Sequence, residues 1–133
     1  MLKKKILLVD DEVDILKIIG LRINSWGYES LKAKNGKEAI KIVQEKKPDL
    51  VVLDFMLPDM DGITVIKELR RISKNIPIIM FTAYPNSTTM HETEKLGISA
   101  YVAKFSVASD AQSLLKEAIE LSFKKISERK EAE

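Results

Sequence analysis

The sequence predicts an α/β fold: a doubly wound parallel sheet of five strands with five helices laid against its two faces. Two observations predict it. Short, uninterrupted apolar runs recur at residues 6–9, 50–53, 76–81 and 100–103, the pattern of strands buried on both faces. Between them lie longer stretches in which apolar residues return at the three- and four-residue spacing of a helix face. Strands alternating with helices call for parallel pairing, and right-handed crossovers then put helices on both sides of the sheet.

Each element can be justified in order. The first strand, Ile6-Leu7-Leu8-Val9, stops at Asp10-Asp11-Glu12. Helix one is expected over residues 11–25, with Leu16, Ile19, Ile23 and Trp26 on its inward stripe and Gly27 as a stop signal. Residues 28–33 read as a second strand. Asn35 and Glu38 have the form of an N-terminal capping arrangement, and Ala39, Ile40, Ile42 and Val43 supply the apolar side of helix two, which Pro48-Asp49 closes. Residues 50–53 lead to Asp54. Helix three starts near Asp61 and carries Ile63, Ile66 and Leu69, and the fourth strand, residues 76–81, leads to Thr82. Helix four follows Pro85-Asn86-Ser87 and stops at Gly97; the fifth strand, residues 100–103, leads to Lys104. The last helix is expected from Ser109, with Gln112 in the capping-box position and Leu115, Ala118, Ile119 and Ile126 facing inward. Residues 1–126 then form one domain and residues 127–133 a polar tail.

Composition narrows the function. A chain of 133 residues that is 45% hydrophobic can build one core. With 32% charged residues and a net charge of only +2, both signs share the surface, which argues against a dedicated nucleic-acid or membrane-surface binder. The absence of cysteine excludes disulfides, thiolate catalysis and Cys-based metal sites. The basic opening Lys3-Lys4-Lys5 precedes an apolar run far too short for export, and no run approaches the roughly 20 residues a membrane helix requires. A soluble, cytoplasmic protein is expected. The single histidine, His91, and Trp26 read as a solvated helix residue and a core or rim residue respectively.

In such a sheet, ligands sit beyond the carboxyl ends of the strands, so Asp10, Asp11, Asp54, Thr82 and Lys104 are the residues to inspect. Singly, each has an ordinary explanation: a helix cap, a turn residue, a β-branched strand residue, a solvated lysine. Jointly they converge on one edge. Three carboxylates there repel by about 4 kcal/mol per pair at about 4 Å and an effective dielectric near 20, so they need a cation, and Mg²⁺ with oxygen ligands suits them. Lys104 and Thr82 add a positive charge and a hydroxyl donor, which completes an electrostatic clamp for a phosphoryl group in transfer. Asp54 is the candidate nucleophile, since a carboxylate forms an acyl phosphate without a general base.

Val9-Asp10-Asp11-Glu12, Asp54-Phe55-Met56-Leu57-Pro58-Asp59-Met60-Asp61-Gly62, Thr82-Ala83, Tyr101 and Lys104, in this order across residues 4–126, resemble the response-regulator receiver family of two-component and phosphorelay signalling. The resemblance implies the flavodoxin-like strand order 2-1-3-4-5. It implies Asp54 as phosphoacceptor, with Asp10, Asp11, Asp54 and the backbone carbonyl of Met56 as the Mg²⁺ site. Thr82 and Lys104 become the phosphate-sensing pair, and Tyr101 the aromatic switch residue whose ring moves inward as Thr82 turns to the phosphate. The implied partners are a sensor histidine kinase or phosphotransfer protein, and a downstream protein or second copy on the face of helix four, strand five and helix five. Direct contact with nucleic acid or membrane is not implied, nor is enzymatic activity beyond chemistry on the chain's own aspartate.

The chain departs from the family pattern in two respects. Phe105 follows Lys104 where the family usually has proline, and Met56 and Tyr84 form a bulky pair two residues beyond Asp54 and Thr82, expected to slow loss of the phosphoryl group. Two other readings fit less well. A haloacid-dehalogenase-like phosphatase wants Asp-x-Asp after its first strand, where this chain has Asp10-Asp11. A pseudo-receiver, acting by contact alone, would have lost an acidic residue, Thr82 or Lys104.

Overall fold

The computed structural model describes residues 2–83, 86–104 and 110–132. The chain alternates β1 (Lys5–Val9), α1 (Val13–Ser25), β2 (Glu29–Ala33), α2 (Gly36–Lys46), β3 (Leu50–Leu53), α3 (Gly62–Ile72), β4 (Ile78–Thr82), α4 (Ser87–Lys95), β5 (Ala100–Ala103) and α5 (Ala111–Ala132). Its strands pair in parallel in the order β2-β1-β3-β4-β5, the flavodoxin-like order expected.

Side chains alternate across a strand, so the continuous apolar runs of β1, β3 and β4 feed two cores at once. Ile6, Leu8, Leu50, Val52, Ile79 and Phe81 meet Leu16, Ile19 and Ile23 of α1 and Leu115, Ala118 and Ile119 of α5. Leu7, Val9, Val51, Leu53, Ile78 and Met80 meet Ala39 and Val43 of α2 and Val65, Ile66 and Leu69 of α3. Trp26 lies at the rim of the first core, and His91 is exposed.

Element starts differ from the sequence expectation where side chains compete for backbone groups. α1 begins at Val13, not at Asp11, because Asp10 turns inward and its Oδ1 accepts the Glu12 N–H at 2.9 Å. β4 begins at Ile78, since Pro77 has no N–H to offer the ladder, although its carbonyl accepts from Val51 at 3.0 Å. Asn35 caps α2 through the Glu38 N–H at 2.8 Å, while Glu38 reaches back to the Lys34 N–H at 3.1 Å. α5 is described from Ala111, and Asp110 serves its start: its carboxylate accepts from the Gln112 N–H and the Ser113 hydroxyl, both at 2.9 Å, while Ser109, the expected first residue, lies outside the described residues. Residues 127–132, expected as a polar tail, continue α5 as its exposed final turns.

Arg70 of α3 fastens the far end of the fold. Its guanidinium donates to the Ile76 carbonyl at 2.6 Å, the Gly97 carbonyl at 3.0 Å and the Leu96 carbonyl at 3.2 Å, joining α3 to the end of α4 and the approach to β4. Replacing it strands three carbonyls. Arg70→Ala should lower the unfolding free energy by about 2 kcal/mol, and Arg70→Lys should recover only part of that, since an ammonium cannot reproduce the fork. Urea midpoints test this; a loss below about 0.5 kcal/mol would mean that water serves those carbonyls equally well.

Candidate functional site

Parallel register builds the site. Val9 pairs with Leu53, so the next residues, Asp10 and Asp54, leave adjacent strands side by side. Their backbones stay in the ladder: Asp54 N–H donates to the Val9 carbonyl and Asp10 N–H to the Ala33 carbonyl, each at 3.0 Å. Thr82 pairs with Ala103 across β4 and β5, and the Lys104 N–H donates to the Thr82 carbonyl at 2.8 Å. Four strand ends therefore bring Asp10, Asp54, Thr82 and Lys104 to one edge, all buried, while Asp11 sits exposed at the rim.

Lys104 bridges the two buried aspartates. Its Nζ stands 2.5 Å from Asp10 Oδ2, 3.0 Å from Asp54 Oδ2 and 4.0 Å from Glu12 Oε1. The remaining oxygens face loop amides, with Asp10 Oδ1 on Glu12 N–H and Asp54 Oδ1 on Met56 N–H at 3.3 Å. One oxygen from each of Asp10, Asp11 and Asp54 lies within 4.8 Å of the others, close enough to share an ion. One ammonium set against three converging carboxylates leaves the cluster net negative, and its donors are hard oxygens, so the residues fit a divalent cation such as Mg²⁺.

The electrostatics follow from burial and pairing. Burial pushes the Asp54 carboxyl above its ordinary range; the hydrogen bond and charge of Lys104 pull the other way without overcoming it, and Asp10 adds like-charge repulsion. For Lys104, burial opposes the charged form, but the two carboxylates it touches outweigh that and raise its pKa.

Tyr101 points inward. Its ring packs against the α2–α3 core, and its buried hydroxyl lies near the Asn86 backbone without a full hydrogen bond among the described residues. Desolvation raises its pKa, with a smaller push from Asp54. Met56 is held through its N–H while its side chain is 62% exposed. Tyr84 and Phe105 lie outside the described residues.

Sequence reasoning assigned no role to Glu12, which faces Lys104, or to Asp59, which accepts from the Gly36 and Lys37 N–H groups at 2.8 and 2.9 Å. The free N–H groups opening α2 were a usable signal; which distant acid meets them is a matter of tertiary placement.

Comparison with known proteins agrees with this geometry. The family model described as the response regulator receiver domain matches residues 6–119. The sporulation initiation phosphotransferase F of Bacillus subtilis is 39% identical over 104 residues, covering 78% of this chain and 84% of the relative. A probable transcriptional regulator of Cyanophora paradoxa is 47% identical over 102 residues, covering 77% of this chain; the chain spans only 42% of that longer relative. Among solved structures, a response regulator receiver domain protein (CheY-like) from Methanospirillum hungatei superposes with a TM-score of 0.84 at 25% identity, covering 95% of this chain and 98% of the other.

The raised Asp54 pKa carries a signed consequence. The folded state holds that proton more tightly than the unfolded chain, so the favourable contribution is present below the unfolded pKa and is lost as pH rises through the folded one. At pH 7 the ionised Asp54 is a net cost in cation-free buffer. Asp54→Asn should therefore melt higher than wild type at pH 7, and the gap should close as pH falls toward and below about 4. A lower melting temperature for the Asn variant would show that its pairing with Lys104 outweighs its burial.

Proposed function

This chain belongs to the response-regulator receiver family, and from that premise we propose that it is a phosphoacceptor whose Asp54 takes up a phosphoryl group in the presence of Mg²⁺. The observation that carries the reading is the buried pair Asp10 and Asp54, bridged by Lys104 and rimmed by Asp11 at the ends of three strands. Asp10, Asp11, Asp54 and the Met56 carbonyl hold the ion. When bound, it supplies neutralising charge at Asp54 and at the oxygens of the incoming group.

The carboxylate of Asp54 forms the bond to phosphorus, the bond from phosphorus to the donor breaks, and the departing group keeps that electron pair. Lys104 remains protonated at neutral pH, as its two carboxylate contacts favour, and its ammonium passes from Asp54 Oδ2 to a phosphoryl oxygen. The Thr82 hydroxyl binds a second phosphoryl oxygen. The donor is a sensor histidine kinase or a phosphotransfer protein, and the chain acts as a cytoplasmic switch rather than as an enzyme on other substrates.

The switch runs through Tyr101 to α4. The residues α4 buries are Thr89 and Thr93, and Thr93 spends its hydroxyl within the helix on the Thr89 and Met90 carbonyls. Within Ser87–Lys95 no large apolar side chain is buried, and only Leu96 at its C-cap packs on the α2–α3 core. A phosphoryl group that contacts Thr82 and Lys104 in one arrangement better than another shifts that equilibrium, favouring the arrangement with Tyr101 inward that this structure already adopts. The face of α4, β5 and α5, where Met90, Leu114 and Leu121 are exposed, then meets a downstream protein or a second copy rather than nucleic acid or membrane. Among the described residues no helix is long and apolar enough to cross a membrane.

A small acyl-phosphate donor should add one phosphoryl group to the wild-type chain, and neither chelator-treated protein nor Asp54→Asn should accept it. Intact mass reads this directly, and unchanged labelling of the Asn variant would end the assignment.

Decay of the phosphorylated form gives an independent test. Met56 offers no strong acceptor to orient an attacking water, and Tyr84 is bulky, so the phosphoryl group is held long. Met56→Asn and Tyr84→Glu should shorten its lifetime, together by about tenfold, equivalent to about 1.4 kcal/mol of barrier. Equal lifetimes in wild type and the double variant would show that these side chains do not guard the site.

A further inference from the structure

The turn that follows Asp54 is gripped from outside the cluster. Asp59 Oδ1 accepts the Gly36 N–H at 2.8 Å and Oδ2 the Lys37 N–H at 2.9 Å, at the opening of a helix 22 or more residues earlier in the chain. Next to it, Met60 lies so close to Gly36 that a Cβ there would run into the methionine side chain. Both contacts tie one side of the turn to α2. On the other side Met56 pairs with Asp61, Gly62 N–H donates to the Phe55 carbonyl at 3.0 Å, and Met56 N–H reaches Asp54. The turn is thus a short closed unit with Asp59 on one flank and the Met56 peptide on the other.

Capping alone does not account for this arrangement. α2 already has its own cap, Asn35, on the Glu38 N–H. Asp59 serves the two N–H groups that Asn35 leaves open, and it does so from the segment that carries Met56. The carboxyl of Asp59 lies below its ordinary range: its slight burial raises it, but the Gly36 and Lys37 N–H groups and the turn's own amides outweigh that. It is therefore a full anion at neutral pH, suited to the positive end of α2.

We propose that Asp59 is a positioning residue for the phosphoacceptor site: its grip on the start of α2 fixes the Met56 peptide against Asp54 and so sets the site's affinity for a divalent cation. This rests on the reading of Asp10, Asp11 and Asp54 as the ion's ligands. Groups that orient metal ligands without touching the ion typically change affinity by about 10- to 100-fold when removed.

The test is titration of the full chain with Mg²⁺ alone, following the amide resonances of Asp54 and Met56, with melting curves in parallel. Asp59→Ala should weaken Mg²⁺ binding about tenfold, and Asp59→Asn, which keeps one acceptor, by a smaller but measurable factor. Asn35→Ala removes the other cap of the same helix and leaves the grip on the turn intact; it should lower the melting temperature while Mg²⁺ affinity stays at the wild-type value. That contrast separates positioning from helix capping. The proposal is overturned if either Asp59 variant binds Mg²⁺ as wild type does, or if Asn35→Ala weakens binding as much as Asp59→Ala. A wild-type chain that takes up neither Mg²⁺ nor a phosphoryl group would instead sink the phosphoacceptor reading beneath it.

Discussion

Everything at the functional edge depends on one lysine held between two buried aspartates. Lys104, Asp10 and Asp54 are each almost wholly enclosed, so none can rely on water to offset its charge. Removing the lysine would leave the two aspartates facing each other unpaired, whereas removing either aspartate leaves the lysine paired with the other. Because three different strands supply these residues, the cluster also reports on the whole sheet: its geometry exists only while β1, β3 and β5 keep their parallel register. A one-residue slip between β1 and β3 would turn Asp10 away from Asp54 and carry apolar side chains from one core to the other.

The same dependence explains why such a charged site can coexist with a stable fold. The apolar runs of β1, β3 and β4 are buried on both faces, and four of the helices lay aliphatic residues on them. That continuous apolar mass lies beneath the strand ends that carry the cluster. Above it, the connecting turns carry the remaining charges, Asp11 and Glu12, where solvent screens them. The division is sharp: two aspartates and a lysine inside, their acidic neighbours at the rim.

Much of this was legible in the sequence because the signals were periodic or local. The strands showed as uninterrupted apolar runs, and the inward stripes of α1 and α2, with Leu115, Ala118 and Ile119 of α5, showed as three- and four-residue spacings that the cores reproduce, whereas Ile126 lies outside both cores. Asp54, Thr82 and Lys104 were legible from their places at strand ends. What escaped notice depended on pairing across distance. Asp10 turns inward to hold Lys104 and the Glu12 N–H, so the expected start of α1 moved to Val13. Asp110 accepts from the Gln112 N–H and the Ser113 hydroxyl at the start of α5, a role residue type alone did not single out among the polar residues there. Asp59, one acid among 20 acidic residues, acquires its place only when the turn after β3 folds back on α2.

The helices differ in what anchors them, and that difference has a direction. α1, α2, α3 and α5 each bury at least one aliphatic side chain on the sheet, whereas α4 buries two threonines and relies on its neighbours: the Asn86 cap at one end and Arg70 reaching the Leu96 and Gly97 carbonyls at the other. Arg70 pins the end remote from the cluster. The start of α4 lies beside the enclosed hydroxyl of Tyr101, which stands on β5, the strand that delivers Lys104. The proposed switch would therefore run from β5 through Tyr101 to the start of α4, the end that Arg70 does not hold. On the switch proposed above, the weakly anchored start of α4 is the place where a shift between packings of similar free energy would be accommodated, while the charge is held at the strand ends.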